Sequence, residues 1–136
     1  MTAERSVSIV RVYGDVGRTG DEYRVLVDRL WPRGRPRGVV DADEWAKDVA
    51  PTTGLRQWYA HDVARFDEFA RRYLDELAGT TQCAIVRRLR STRRVRDVVL
   101  LTASRDVEHS NAEVLRRIIV DASPSVTSRA QRPRVP

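Results

Sequence analysis

Two short apolar runs in this chain each stop at a cluster of side chains suited to binding and proton transfer. The run Val25-Leu26-Val27 ends in Asp28 and Arg29, with Trp31 and Arg33 close behind. The run Val98-Val99-Leu100-Leu101 leads to Ser104, Arg105 and Asp106, followed by Glu108, His109 and Asn111. Arginines at 29, 33 and 105 offer forked donors that match a carboxylate or a phosphate. Asp28 and Asp106 could orient those arginines or serve as general bases. His109 falls at the expected start of a helix, where the dipole disfavours imidazolium and leaves a neutral ring for proton transfer. The free N–H groups of that helix would add to an anion site.

Each of these residues has a plainer reading. Asp28–Arg105 or Arg29–Asp106 could be ion pairs that tie two strand ends together. His109 could cap a helix, and His61 before Asp62 suits packing at a helix start. Tyr73 lies on an apolar helical strip and reads as core, whereas Arg72 flanks the strip and could reach solvent or the site. Trp31, Trp45 and Trp58 read as core or rim packing more readily than as a base-stacking platform.

The elements that would position the clusters follow from patterning. Residues 6–13 are rich in β-branched side chains and read as a strand. Residues 14–21 hold three glycines and two aspartates and read as a loop. Val25-Leu26-Val27 and residues 98–101 are continuous apolar runs, the pattern of strands buried on both faces. Pro32 stops the first from continuing, and residues 31–38 read as an irregular loop. Residues 53–59 form a short helix. Residues 62–77 form the clearest one, with Phe66, Phe69, Ala70, Tyr73, Leu74 and Leu77 at helical spacing. Asp62 suits its start and Gly79 its end. Residues 81–94 carry Cys83, Ile85, Val86 and Leu89 on one strip. Residues 111–122 place Leu115, Ile118, Ile119 and Ala122 inward. Residues 41–50 fit either an edge strand or a helical turn.

Strands separated by helices point to an α/β fold, a small mainly parallel sheet covered by helices in a single domain. The domain is expected over residues 1–122, with a mobile basic tail over 123–136 that is rich in proline, serine and arginine. In such sheets ligands bind beyond the carboxyl ends of the strands. If the two apolar strands are parallel neighbours, their polar clusters meet on one edge.

Composition narrows the classes. At 136 residues the chain suits one domain. No stretch approaches the ~20 apolar residues of a membrane span, and the N-terminus lacks a signal-peptide core. A cytoplasmic protein is therefore expected. One cysteine excludes an internal disulfide, and two histidines disfavour a histidine-built metal site. The charge of +6 is unevenly spread, with six arginines between Arg87 and Arg96 and three more in the tail. Without those nine the 25 basic residues fall to 16, against 19 acidic ones. The Arg87–Arg96 stripe and the tail could contact nucleic-acid phosphates, but no aromatic residue interleaves with the stripe. Gly14-Asp-Val-Gly-Arg-Thr-Gly lacks the spacing of a nucleotide phosphate loop.

The order of several segments resembles the YeaO-like family, a domain of unknown function. They are Tyr23-Arg-Val-Leu-Val-Asp-Arg-Leu-Trp-Pro-Arg-Gly34, Trp45-Ala-Lys-Asp-Val-Ala-Pro51, Leu55-Arg-Gln-Trp58 with His61-Asp62, Phe69 to Tyr73 with Glu76-Leu77, and Ala103-Ser-Arg-Asp106 with Glu108-His109. The resemblance implies a compact cytosolic α/β protein of bacterial or archaeal type, with no established reaction to transfer. It also implies recurrent polar positions at Asp28, Arg29, Trp31, Arg33, Lys47, His61, Arg72, Tyr73, Arg105, Asp106 and His109. Many relatives have a second histidine where this chain has Asn111. Distant branches have cysteines where this chain has Leu101 to Ser104, so thiol chemistry is not expected.

The expectation is thus a pocket for a small anionic metabolite, a nucleotide or phosphorylated compound. Arg29, Arg33 and Arg105 form the clamp, with Trp31, Lys47, His61, Arg72, Tyr73 and Asn111 as further binding positions. Asp28, Asp106 and His109 are the acid–base candidates if the protein is an enzyme. The alternatives are a nucleic-acid-associated protein and a non-catalytic structural or binding module. Cofactor, metal requirement and homo-oligomer formation are left open.

Overall fold

The computed structural model describes residues 5–14 and 17–121. Val98–Thr102 forms strand β4 at the centre of the sheet, and all five of its residues are buried. It pairs in parallel with β1 (Val7–Arg11) on one side and with β2 (Tyr23–Leu26) on the other. A two-residue strand β3 (Glu44–Trp45) pairs in parallel with β2 and completes the order β1-β4-β2-β3. The continuous apolar runs are explained by this position, since both faces of β4 and β2 are covered. Val25, Val98 and Leu100 join the larger cluster, whereas Leu26, Val99 and Leu101 join the smaller one. That is the two-residue alternation of a strand.

The larger cluster lies under helices α2 (Thr53–Tyr59), α3 (Phe66–Leu77), α4 (Thr80–Thr92) and α5 (Asn111–Val120). Phe66, Phe69, Tyr73 and Leu77 of α3 are buried, as the helical spacing predicts. Each such side chain contributes about 1.5–3 kcal/mol by leaving water. The smaller cluster on the opposite face is covered by the four-residue helix α1 (Arg37–Val40) and by Trp31 and Trp45, whose rings meet edge-to-face at 5.3 Å. Arg24 is buried beneath this cover. It donates from Nε to the Asp41 carbonyl (2.7 Å) and from Nη2 to the Val40 carbonyl (3.2 Å), and it lies 3.6 Å from the buried Glu22 carboxylate.

Several local expectations are refined. Residues 41–50 contain both alternatives in turn, the edge strand β3 and a 3-10 turn at Lys47–Val49. The free edge of β2 decides this, with Asp43 N–H on the Arg24 carbonyl and Ala46 N–H on the Leu26 carbonyl, each at 2.8 Å. The segment opening with Asp62 begins as a 3-10 turn at Val63–Arg65, and Asp62 accepts from Ala64 N–H as a cap. Gly79 does not take a left-handed ending; its φ is −62° and it opens α4. Ala122 and the expected tail over 123–136 lie outside the described residues. No described helix is long and apolar enough to cross a membrane.

The arginine stripe is largely spent within the fold. Arg88 pairs with Glu44 (2.6 Å), and Arg90 donates to the Ile118 carbonyl near the end of α5 (3.0 Å). Arg93 donates to the Arg5 carbonyl (2.7 Å), and Arg96 donates to the Asp21 and Glu22 carbonyls (2.6 and 3.2 Å). Arg87 and Arg94 are exposed.

Candidate functional site

Because β2 and β4 are adjacent and parallel, their carboxyl ends lie side by side. A cavity of about 870 Å³ opens there. Its wall takes Asp28, Arg29, Trp31 and Arg33 from the segment after β2, and Arg105, Asp106, His109 and Asn111 from the segment after β4. His61 also lines it. Nine of the twelve residues singled out in the sequence therefore share one cavity.

The remaining three sit elsewhere. Lys47 rests on the Trp45 ring, with Nζ 4.3 Å from its centre. Arg72 is held by Glu68 (2.8 Å) and lies over Trp58 (4.3 Å). Tyr73 is buried in the core, stacked on Phe69, with its hydroxyl donating to the Val49 carbonyl. Conversely, Arg11, Tyr13, Arg56, Tyr59 and Phe69 line the cavity and were not foreseen. Arg11 and Tyr13 had a signal, since β1 is a third strand ending on the same edge. Tyr59 and Phe69 had none, because a pocket wall made of core residues shows the same helical spacing as any core.

Neither strand-end ion pair considered from the sequence is formed among the described residues. Asp28 instead accepts from the Thr102 hydroxyl (2.8 Å) and from Ala103 N–H (2.7 Å). Arg29 donates to the carbonyls of Pro51 (3.0 Å) and Ala50 (3.1 Å), so it anchors the chain entering α2 while keeping its charge at the cavity. The Asp106 carboxylate accepts from the His109 ring at Nδ1 (2.8 Å), which fixes the imidazole and turns Nε2 outward from that contact. The cap of α5 is Ser110, whose Oγ accepts from Glu113 N–H, so His109 is not the capping residue. Asn111 donates to the Val27 carbonyl (3.0 Å).

Two contacts join the walls. The Tyr59 hydroxyl donates to the His109 carbonyl (2.7 Å), linking α2 to the segment before α5. Two guanidiniums lie over the Tyr13 ring, Arg11 at 5.1 Å and Arg35 at 5.2 Å from its centre, and the buried Nε of each has no hydrogen-bond partner. Ala60 and His61 both adopt left-handed backbone, with φ of 48° and 58°. Such conformations cost non-glycine residues free energy, and here they turn the chain so that His61 reaches the cavity. His109 also borders a second, polar depression of about 550 Å³, where Glu113 already pairs with Arg116 and Arg117 (2.9 Å each).

The electrostatics are lopsided. Arg11, Arg29, Arg33, Arg56 and Arg105 line the cavity against Asp28 and Asp106. Arg33, Arg56 and Arg105 are exposed and form no carboxylate pair among the described residues. Burial pushes the Asp28 carboxyl above the usual aspartate value of 3.8, and its hydrogen bonds from Ala103, Thr102 and Asn111 only partly oppose this. No three metal-ligating side chains converge among the described residues.

Asp28 thereby costs stability at neutral pH. A carboxyl whose folded pKa is raised is best tolerated below its unfolded pKa, and its burden grows as pH rises through the interval up to the folded value. Asp28→Asn keeps an acceptor for Ala103 N–H and removes the buried charge. The variant is expected to melt at a higher temperature than wild type at pH 7. That advantage should vanish near pH 3, as thermal melts across this range would show. A variant less stable than wild type at pH 7 and no better placed there than at pH 3 would refute the account.

Comparison with known sequences decides the family. The sequence model described as the inactive DUF488-N3 subclade matches residues 6–135. The chain belongs to the DUF488 family. It is 43% identical over 120 residues to uncharacterized proteins of Mycobacterium tuberculosis and Mycobacterium bovis, covering 88% of this chain and 98% of each relative. It is 36% identical over 110 residues to the uncharacterized protein YeaO of Escherichia coli, covering 81% of this chain and 93% of that relative. No solved structure matches. The resemblance drawn from the strand-end and helix motifs is thus a true membership, and the fold of this DUF488 member is the parallel α/β sheet described above.

Proposed function

We propose that this DUF488 protein binds a small organic anion, bearing a phosphate or carboxylate, at the carboxyl edge of its sheet. The observation that carries the reading is the set of three exposed guanidiniums, Arg33, Arg56 and Arg105, that line a largely apolar cavity and form no carboxylate pair among the described residues. Forked donors of this kind bind oxyanions in pairs, and a cavity of about 870 Å³ is of the size that holds metabolites. The description of the subclade as inactive supports binding over turnover.

Calorimetric titration with nucleotides, sugar phosphates and carboxylates tests this. Arg105→Ala is expected to weaken the anion that binds by about tenfold or more, the value of a charge-assisted hydrogen bond lost. Arg33→Ala should do the same, with melting temperatures close to wild type because neither side chain holds the fold together. No binding by any anion, or binding unaffected by both substitutions, overturns the reading.

A second reading, acid–base chemistry on the bound anion, has the Asp106–His109 contact in its favour. Asp106 would orient the ring and His109 would move the proton, with Asp28 as the other candidate. Prolonged incubation of bound ligand followed by mass spectrometry separates the two readings. The nucleic-acid reading is weaker, since four of the six stripe arginines already hold the chain itself.

A further inference from the structure

The five arginines of the cavity fall into separate groups. Arg11 and Arg33 gather around Tyr13, past the end of β1. The Arg11 guanidinium lies over the Tyr13 ring at 5.1 Å, and the Tyr13 hydroxyl donates to the Arg33 carbonyl (2.9 Å). Arg29 and Arg56 gather where the chain enters α2. Arg29 donates to the Pro51 and Ala50 carbonyls, and Arg56 follows within that helix. Tyr13 packs against the smaller core cluster, whereas Leu55 and Tyr59 of α2 belong to the larger one. The two groups therefore lie toward opposite faces of the sheet.

They are also apart along the sheet. Arg11 ends β1 and Arg29 follows β2, with β4 between those strands. Adjacent strands are about 4.8 Å apart, so the ends of β1 and β2 stand about 10 Å from each other. Asp28 occupies the interval, since it follows β2 and is bonded to Thr102 and Ala103 at the end of β4. An anion held at the centre would face this carboxyl, whereas one held at either end faces guanidiniums. Each end has donors to spare. At the first, the buried Arg11 Nε has no partner and Arg33 is exposed without a carboxylate pair among the described residues. At the second, Arg29 spends Nε and Nη2 on carbonyls and keeps Nη1, and Arg56 is exposed and likewise unpaired with any described carboxylate.

Resting on the anion-site reading above, we propose that the ligand is a small organic molecule with two anionic groups held apart by a neutral spacer. One group binds at Arg11 and Arg33, the other at Arg29 and Arg56. Arg105 follows the central strand β4 and stands between them. The cavity, at about 870 Å³, is larger than one phosphate uses and has room for the spacer. Two tethered anions bind more tightly than one, because the first delivers the second at high effective concentration. Spacing then supplies selectivity, since two anionic groups on a single atom can serve only one end.

The test is calorimetric titration of the full chain at neutral pH with three probes. Hexamethylene bisphosphonate carries two anionic groups about two strand spacings apart when extended. Methylene bisphosphonate carries the same groups on one carbon, and hexylphosphonate keeps the chain with a single anion. Hexamethylene bisphosphonate is expected to bind at least about tenfold more tightly than either of the others. In Arg33→Ala and in Arg56→Ala, each of which removes an exposed side chain from one end, its advantage over hexylphosphonate should fall toward one. Methylene bisphosphonate or hexylphosphonate binding as tightly as the long probe in wild type overturns the inference and leaves the anion site standing. An advantage that survives one of the substitutions overturns the assignment of that end. Failure of all three probes to bind overturns the inference, and the titrations with nucleotides, sugar phosphates and carboxylates then decide the reading beneath it. The comparison of probes on wild type needs no variant, so a misfolded variant does not shield the proposal.

Discussion

Replacing Arg24 by methionine is expected to cost the fold about 3–5 kcal/mol, the loss typical of a broken buried ion pair. Arg24 is only 2% exposed and Glu22 only 6%, so neither charge has water to fall back on. The substitution leaves the Glu22 carboxylate with nearby donors, among them Thr19 and Gly20, but without its ion-pair partner. It also strips the Val40 carbonyl of its side-chain donor and leaves the Asp41 carbonyl with only the longer bond from Arg18 (3.4 Å) at the end of α1. Helix α1 has four residues, too few to persist on its own. Without Arg24 it should detach, and the smaller core cluster should lose the cover provided by Val40. Urea unfolding and thermal melts should show the loss, with the melting temperature falling by about 10 °C or more. The double substitution with Glu22→Gln should recover part of it, since the uncompensated charge is then gone. A loss below about 1 kcal/mol would mean that Arg24 only fills space.

The Arg24 contacts show why some of the fold was legible in the sequence and some was not. Strands β2 and β4 announce themselves because burial on both faces demands unbroken apolar runs, and Val25-Leu26 and Val98-Val99-Leu100-Leu101 have little other use. Helix α3 is equally plain from its spacing. Helix α1 is not, because nothing local makes Arg37–Val40 helical; a guanidinium from another strand fixes its end. Strand β3 is two residues long and exists because β2 has a free edge. Glu44 and Trp45 carry no strand pattern of their own.

The site divides along the same line. Chemistry placed at strand ends could be read, because parallel topology brings those ends together whatever the details. That argument reaches Asp28, Arg29, Trp31, Arg33, Arg105, Asp106, His109 and Asn111, and it extends to Arg11 at the end of β1. It does not say what each side chain binds. Arg29 turned to backbone carbonyls before α2 and Asp28 to the Thr102 hydroxyl and Ala103 N–H, so the ends of β2 and β4 are joined by hydrogen bonds in place of the foreseen ion pairs. Lys47 entered through the resemblance alone and Arg72 also from its place beside the apolar strip of α3, and each rests on a tryptophan face outside the cavity. A cation on an aromatic surface gains about 0.5–1 kcal/mol at exposed positions. That is enough to settle a flexible side chain, and no spacing rule anticipates it.

Phe69→Ala is the substitution expected to damage stability and the cavity together. Phe69 is 2% exposed and forms the middle of an aromatic column. The Tyr59 ring stacks on it at 4.2 Å with the planes 16° apart, Tyr73 stacks at 5.6 Å, and Phe66 lies at 6.2 Å. Truncating a buried phenylalanine to alanine costs about 3–5 kcal/mol, from lost transfer free energy and from the space left behind. Here the space opens beside the cavity that Phe69 itself lines. Tyr59 would lose the surface that holds its ring, and with it the geometry of its hydroxyl bond to the His109 carbonyl. That bond ties α2 to the segment carrying Arg105, Asp106 and His109, so the rim should loosen as well as the core. Phe69→Leu preserves most of the buried volume and should cost less, about 1–1.5 kcal/mol. If the column only supports the core, the leucine variant should bind anions as wild type does. If the column also sets the cavity wall, anion affinity should fall in the leucine variant while most of the stability remains. The second result is expected, because Tyr59, which rests on the Phe69 ring, lines the cavity and holds the His109 segment through its hydroxyl.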